Sequence, residues 1–378
     1  MTTSRLSVEL HAGLREGTGY LLPLECLRGV AILLVFLFHA WGISGLETPD
    51  SPGLLLSFIL SGSTGVTLFF VLSGFLLFLP WIETGGQQPS VRRYYVARVL
   101  RIVPLYAFAI AVAVVVTGQW EVGLRAAGFQ FVGFELFPFS AVWWTLTTEF
   151  QFYLLLPLFG LAWQRRGPWR WLVVVCLLAW LVAYCVVFVL RPEAKTVFSY
   201  WLTKSLFGRL PAFLIGMAAA LIFVRFLRAG EGQRVAGTVG LVLAVLTTAL
   251  LGVVLRQAAV LGDWLAEWSW HLHHTWEALL WTLLVLLCLN GFTGLALLVN
   301  RAWAVLGKLS YSFYLWHVPV LYYLIDPIKT GLGEDGYRQS IWLWLIPLAA
   351  FLLTVLLSYV SYRWIELPFL NLKRQLQR

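Results

Sequence analysis

The sequence predicts an all-α polytopic membrane protein, a bundle of about ten transmembrane helices with both termini in the cytoplasm. Three observations predict it. Hydrophobic residues make up 60% of the 378-residue chain and charged residues only 12%, against roughly 45–50% and about 25% in soluble domains. Apolar runs recur at the length of about 20 residues that a helix needs to cross a hydrocarbon core. Lys and Arg concentrate in alternate connecting segments, the bias that orients helices in a bilayer. This composition excludes a soluble enzyme, a disordered chain and a nucleic-acid-binding module. The net charge of +9 is a topology signal, and no nucleic-acid partner is expected.

The predicted spans cover about 28–44, 54–80, 101–118, 141–162, 171–190, 209–227, 235–256, 276–298, 303–325 and 341–363. These runs are too long and too rich in Leu and Val for barrel strands, which alternate over about ten residues. With the N-terminus inside, only Arg125, Arg191, Lys195, Lys204, Arg209, Arg256, Lys329 and Arg338 of the 27 Lys and Arg fall outside. Val30–Phe38 has the length of a signal-peptide core. No small-residue cleavage site follows His39, so it reads as an uncleaved first span of a multi-pass protein of the cytoplasmic (inner) cell membrane. The organisation is then a cytoplasmic segment over residues 1–27, a transmembrane domain over 28–365 and a basic cytoplasmic tail over 366–378. Cys26, Cys176, Cys185 and Cys288 lie in or beside apolar runs without CxxC or His/Cys metal spacing, and read as packing residues.

Ionisable groups inside the spans are costly and mark function. The candidates are His39, Glu149, Glu277 and His317, with Arg28, Arg98, Arg101 and Glu366 near span ends. Arg28 and His39 are eleven residues apart, three turns plus about 20°, so they share one helix face about 16 Å apart along the axis. A guanidinium at the inner mouth beneath an imidazole deep in the membrane suits a long ligand with an anionic head and a reactive tail. Arg98 and Arg101 add two planar forks for phosphate oxygens at the same end. Arg92 and Arg93, in the same loop, read as ordinary anchors. Glu149 falls at a depth similar to that of His39, roughly 7–10 Å from the outer surface. A carboxylate there is placed to orient the ring as a general base. Glu277, at a span edge, is expected to stay hydrated.

Six motifs then line up in order. They are Leu27-Arg28-Gly29 with His39 ten residues beyond Gly29, and Phe69-Phe70-Val71-Leu72-Ser73-Gly74-Phe75-Leu76. Arg98-Val-Leu-Arg101-Ile-Val-Pro104 follows, then Trp144-Thr145-Leu146-Thr-Thr-Glu149-Phe-Gln-Phe152-Tyr153. The last two are Leu306-Gly307-Lys-Leu-Ser310-Tyr311-Ser-Phe-Tyr314-Leu-Trp-His317-Val-Pro319 and Glu366-Leu367-Pro368. Together they resemble the membrane acyltransferase-3 family, with Thr145 where the family usually has Ser. The resemblance implies transfer of an acyl group, commonly acetyl, from acyl-coenzyme A as donor co-substrate to a hydroxyl. Typical acceptors are a sugar, a cell-surface glycan or polysaccharide, or a glycosylated small molecule such as a macrolide. Some relatives carry a hydrolase-like SGNH domain after the spans. This chain is expected to lack it and to complete transfer within the bundle.

On this reading His39 is the base and Glu149 orients it, while Arg28, Arg98 and Arg101 bind the phosphates of acyl-coenzyme A. Ser73, Tyr311, Tyr314 and His317 are candidates to line the pocket, hold the thioester or supply an oxyanion donor. No tightly bound cofactor and no metal are expected. The Trp-rich stretch from Asp263 to Trp276 and the aromatic segment Phe129–Phe139 are assigned to the outer interface, near an acceptor. The alternative is a multispan transporter or flippase in which His39, Glu149 and His317 relay protons without chemistry.

Overall fold

A computed structural model describes residues 22–83, 89–164, 167–187, 202–227, 237–261, 268–290 and 299–377. The N-terminal segment as far as residue 21 lies outside them, as do Arg191, Lys195, Asp263, Trp264 and Glu267. The described residues are helical and connected by short turns. In order they form α1 (Leu22–Ile43), α2 (Leu54–Leu60), α3 (Thr64–Glu83), α4 (Val91–Thr117), α5 (Trp120–Ala127), α6 (Trp144–Gln164) and α7 (Pro168–Cys185). There follow α8 (Leu206–Ile222), α9 (Gly237–Leu261), α10 (Trp268–Asn290), α11 (Arg301–Leu332), α12 (Glu334–Gln339), α13 (Trp342–Ser361) and α14 (Leu367–Gln377).

Among the described residues, eight helical stretches are long and apolar enough to cross a membrane, beginning at Leu22, Thr64, Val91, Pro168, Leu202, Gly237, Leu272 and Trp342. The expected spans at 141–162 and 303–325 form α6 and α11, of 21 and 32 residues. Both are long enough to cross but less apolar, because α6 carries Thr145, Thr147, Thr148, Glu149 and Gln151 and α11 carries Lys308, Ser310, Ser312 and His317. The expected span at 54–80 is broken at residues 61–63. There the Ser61 hydroxyl donates to the Leu255 carbonyl at 2.9 Å, and a Cβ on Gly62 would stand 2.2 Å from the Leu34 carbonyl oxygen. A continuous helix would forfeit both contacts.

Two helix crossings hold the centre. Lipid offers helices no hydrophobic incentive to associate, so close packing of small residues matters most. Helices α1 and α11 run parallel and touch backbone to backbone. A Cβ on Gly307 would lie 1.7 Å from the Glu25 carbonyl oxygen, and one on Gly29 would lie 2.4 Å from that of Trp303. The α3–α8 crossing repeats the device: a Cβ on Gly74 would meet the Phe213 carbonyl oxygen at 2.2 Å, and one on Gly216 that of Val71 at 2.1 Å. Helix α13 packs along α11, α6 along α3, and α14 lies against α4. Many apolar residues remain exposed on the outside, such as Val115, Leu55 and Trp364. That is the expected outer surface of a bundle whose solvent is hydrocarbon.

Candidate active site

The α1–α11 crossing sets the register of the site. On α1, Arg28 and His39 share a face; on α11, Ser310 and His317 are seven residues, or two turns, apart and share another. The two stripes meet. The Arg28 Nη2 donates to Ser310 Oγ at 3.1 Å, and His39 Nδ1 lies 3.2 Å from His317 Nε2. A glycine at 29 and another at 307 are what allow these side chains to reach across.

Arg28, Arg98 and Arg101 line one cavity of about 120 Å3, together with Ser73, Glu149, Tyr311 and Tyr314. The two arginines of α4 are three residues apart and therefore neighbours on its inner face. The Arg98 guanidinium lies over the ring of Tyr153, 5.8 Å from its centroid, a cation–π contact that holds the fork in an apolar setting. Besides its bond to Ser310, Arg28 makes a long ion pair to Glu25, at 3.9 Å. The Tyr311 hydroxyl donates to the Ile102 carbonyl at 2.8 Å, tying α11 to the helix that carries Arg98 and Arg101. The wall facing the arginines is apolar, built by Phe69, Leu72, Leu76 and Leu146.

The arginine-lined cavity stops at Tyr314, whose hydroxyl lies 2.9 Å from Thr145 Oγ1 and 3.2 Å from the Val142 carbonyl. Behind that ring is the histidine pair. Nδ1 of His317, which is fully buried, faces the Tyr314 carbonyl at 2.9 Å. A carbonyl only accepts, so this nitrogen carries the proton and His317 Nε2 presents a lone pair. His39 Nδ1 faces the Val35 carbonyl at 2.8 Å as well as that lone pair, so it too is the protonated nitrogen. The tautomer assigned by this network leaves His39 Nε2 as the free base, and it makes no hydrogen bond to a described residue. When Nε2 takes a proton, the positive ring keeps two acceptors at Nδ1.

The expectation that Glu149 orients His39 is therefore not met by the contacts found. Glu149 Oε1 accepts from Ser73 Oγ at 2.6 Å, and the Val35 carbonyl and His317 hold the ring instead. Equal depth along two helices does not fix azimuth, and α6 turns Glu149 toward α3. The expectation for Glu277 is also corrected. It is 3% exposed, accepts from Thr67 Oγ1 at 3.0 Å and lies 3.0 Å from His273 Nε2. His273 and Glu277 are four apart on α10 and so face the same way, while Thr67 closes the site from α3. Glu366 is likewise buried and accepts from Ser312. The aromatic segment Phe129–Phe139 caps the end of the bundle remote from Arg28. Phe129 stacks on Phe150 of α6, with ring centroids 4.1 Å apart, and Phe137 meets Tyr322 of α11.

Sequence reasoning singled out both histidines but not their pairing, and missed Ser310 as the partner of Arg28. The seven-residue spacing of Ser310 and His317 carried the signal, since it matches a stripe on α11 to the stripe on α1.

Comparison with known proteins finds relatives over most of the chain. Nodulation protein 10 of Rhizobium leguminosarum bv. viciae is 26% identical over 395 residues, covering 96% of each chain. The O-acetyltransferase OatA of Staphylococcus aureus is 23% identical over 379 residues, 92% of this chain and 57% of that protein. The peptidoglycan O-acetyltransferase OatA of Listeria monocytogenes is 23% identical over 392 residues, 94% of this chain and 56% of that one. The chain thus spans little more than half the length of either OatA protein. No solved structure matches. The model of the acyltransferase domain matches residues 22–363, from the first turn of α1 to beyond the end of α13, and by that match the chain belongs to the acyltransferase-3 family of multi-pass membrane proteins.

Proposed function

We propose that this acyltransferase moves an acyl group, acetyl by analogy with the OatA names, from acyl-coenzyme A to a hydroxyl of a sugar-bearing acceptor. The reading takes α6 and α11 as spans alongside the eight apolar ones, making ten, with both termini cytoplasmic and the arginine mouth facing the cytoplasm of a cell membrane. The helices shift the flanking boundaries expected at residues 27 and 366, because α1 begins at Leu22 and the last apolar stretch runs to Lys373; the cytoplasmic segment then ends before residue 22 and the basic tail begins near Lys373. One observation carries the donor assignment. Arg28 of α1 and Arg98 and Arg101 of α4, remote in sequence, converge on a single cavity that runs to Tyr314, with the His39–His317 pair directly behind. Guanidiniums in a partly desolvated mouth suit the phosphates of the donor. The apolar lining of Phe69, Leu72, Leu76 and Leu146 suits its pantetheine arm, for which the Ser73–Glu149 pair offers a hydrogen-bonding station.

In the proposed reaction the thioester passes Tyr314 to reach His39. The acceptor oxygen attacks the thioester carbonyl while His39 Nε2 takes its proton, and the carbonyl electrons return as the carbon–sulfur bond breaks. The thiolate leaves and collects that proton from the imidazolium, giving ester and free coenzyme A. His317 and the Val35 carbonyl hold the ring throughout. Among acceptors, a cell-surface glycan, another sugar or a glycosylated small molecule each presents the required hydroxyl. The Listeria relative, named a peptidoglycan O-acetyltransferase, favours a cell-wall glycan.

The test is thiol release from acetyl-coenzyme A by the protein purified in detergent, with a panel of hydroxylated acceptors and mass detection of product. Wild type releases thiol only with acceptor, and His39→Ala slows it by about 10²–10⁴-fold, the usual worth of a positioned base. Equal release by both proteins removes His39 from the chemistry. Absence of release with every acceptor leaves the proton-relay transporter as the better reading.

A further inference from the structure

A second cleft, of about 340 Å3, opens on the outside of the bundle where α14 lies against the start of α4. Arg92, Arg93 and Lys373 line it, with Ser90, Val96 and Leu376, and none of its lining residues is acidic. Among the described residues neither Arg92 nor Arg93 has an acidic partner, and both are exposed. They open the first turn of a 27-residue helix, capped by Ser90 Oγ accepting from the Arg93 N–H at 3.3 Å. Three cations, Arg92, Arg93 and Lys373, thus gather at one cleft.

What adjoins that cleft is apolar and ordered by helical spacing. Arg92, Val96 and Val99 follow one face of α4 at four- and three-residue steps, and Val99 is 48% exposed. On α14, Phe369, Leu372, Lys373 and Leu376 share a face, and its apolar members are exposed. From the cations, both stripes run toward the middle of the bundle, where hydrocarbon surrounds it. A free phosphate would use the cations and ignore the stripes. A phospholipid uses both, because its phosphate is joined to chains that must lie against apolar surface.

We propose that this cleft binds the phosphate headgroup of an anionic phospholipid, with its acyl chains along Val96, Val99, Leu372 and Phe369. The site is separate from the arginine cavity. Arg92 and Arg98 are six residues apart, about 240° around α4, so the helix presents one group to lipid and the other to the interior. The inference does not depend on the acyl-transfer reading. It requires only that the bundle sits in a membrane. Basic pockets between helices at a membrane surface are suited to such headgroups, and each Lys or Arg there contributes about a fivefold gain in affinity.

The full chain, delipidated in neutral detergent, is titrated with phosphatidylglycerol, phosphatidylcholine or inorganic phosphate while its thermal unfolding midpoint is followed. Lipid retention is read in parallel by native mass spectrometry. Phosphatidylglycerol is expected to raise the midpoint and to stay bound, with the other two well behind. The triple variant R92Q/R93Q/K373Q should bind phosphatidylglycerol about 100-fold more weakly, at about fivefold per cation. R92K/R93K should keep most of the binding. Should the triple variant not fold, Leu376→Glu, at an exposed position, places a carboxylate in the cleft and should weaken phosphatidylglycerol without affecting phosphatidylcholine. Equal protection by phosphatidylcholine, or by inorganic phosphate, overturns the assignment. So does unchanged binding in both the triple variant and Leu376→Glu.

Discussion

If His39 is the base, as proposed, it and His317 divide that labour between two rings. Nδ1 of His39 is held by a carbonyl and by the lone pair of His317, so the orienting role that a carboxylate often fills falls here to neutral acceptors. Such an arrangement gives a base whose charge develops only during proton transfer. Removing His317 should leave the Val35 carbonyl to hold the ring alone. His317→Ala is expected to lower kcat by about 10–100-fold with little change in donor KM, a smaller loss than for His39→Ala. Arg98→Ala and Arg101→Ala should do the reverse and raise donor KM by about tenfold or more, the worth of a charge-assisted hydrogen bond. Arg301→Ala, exposed at the start of α11, provides the comparison. Steady-state kinetics with varied acetyl-coenzyme A checks both predictions, and equal effects at Arg101 and Arg301 would reduce the α4 arginines to anchors.

At the scale of elements, the site depends on the closeness of α1 and α11. Ser310 reaches Arg28, and His317 reaches His39, only because the helix axes meet at Gly29 and Gly307. Gly307→Ala should cost about 1–3 kcal/mol through overpacking, since the displaced group is backbone and cannot swing aside. Thermal unfolding in detergent measures this, and activity should fall with it as both cross-helix contacts lengthen. Gly42→Ala in the same α1 meets nothing within 4 Å and should change stability by no more than about 0.5 kcal/mol. Helix α3 has a different task. It separates the half-buried carboxylate of Glu149 from the buried one of Glu277, offering Ser73 to the first and Thr67 to the second. That partition explains why the two acidic residues, both inside predicted spans, belong to different polar clusters.

For the whole molecule, charge bias and helix parity define a topology that can be measured directly. A fluorescent protein fused after Arg378 should fluoresce and a periplasmic phosphatase fused there should be inactive, while the phosphatase inserted at Gly336, beside Arg338, should be active. The opposite pattern would turn the arginine mouth away from cytoplasmic coenzyme A and remove the donor assignment with it. The distribution of polarity across the bundle has a functional logic. The long helices α6 and α11, which are not among the eight apolar stretches, are also those that carry Glu149, Thr145, Tyr314 and His317. Helices that build a reaction chamber inside lipid must carry its polar groups, and neighbouring helices shield them.

Much of this was legible in the chain itself. Hydropathy is a local property, so the span positions could be read without knowing any neighbour. Helical periodicity is also local, and it placed Arg28 with His39 and Arg98 with Arg101 on common faces. What a residue touches across a crossing depends on the azimuth and separation of two helices, and those are decided by packing at glycines far apart in sequence. For that reason Glu149 found Ser73 instead of His39, Glu277 lost its water to Thr67 and His273, and residues 54–80 broke at Ser61–Ser63. The sequence by itself determined which groups share a helix long and apolar enough to span a membrane and how far apart they stand along its axis, because rise per residue is constant along a helix. Only the tertiary structure decided which of them meet, because rotation about each helix axis is settled by the neighbours against which it packs.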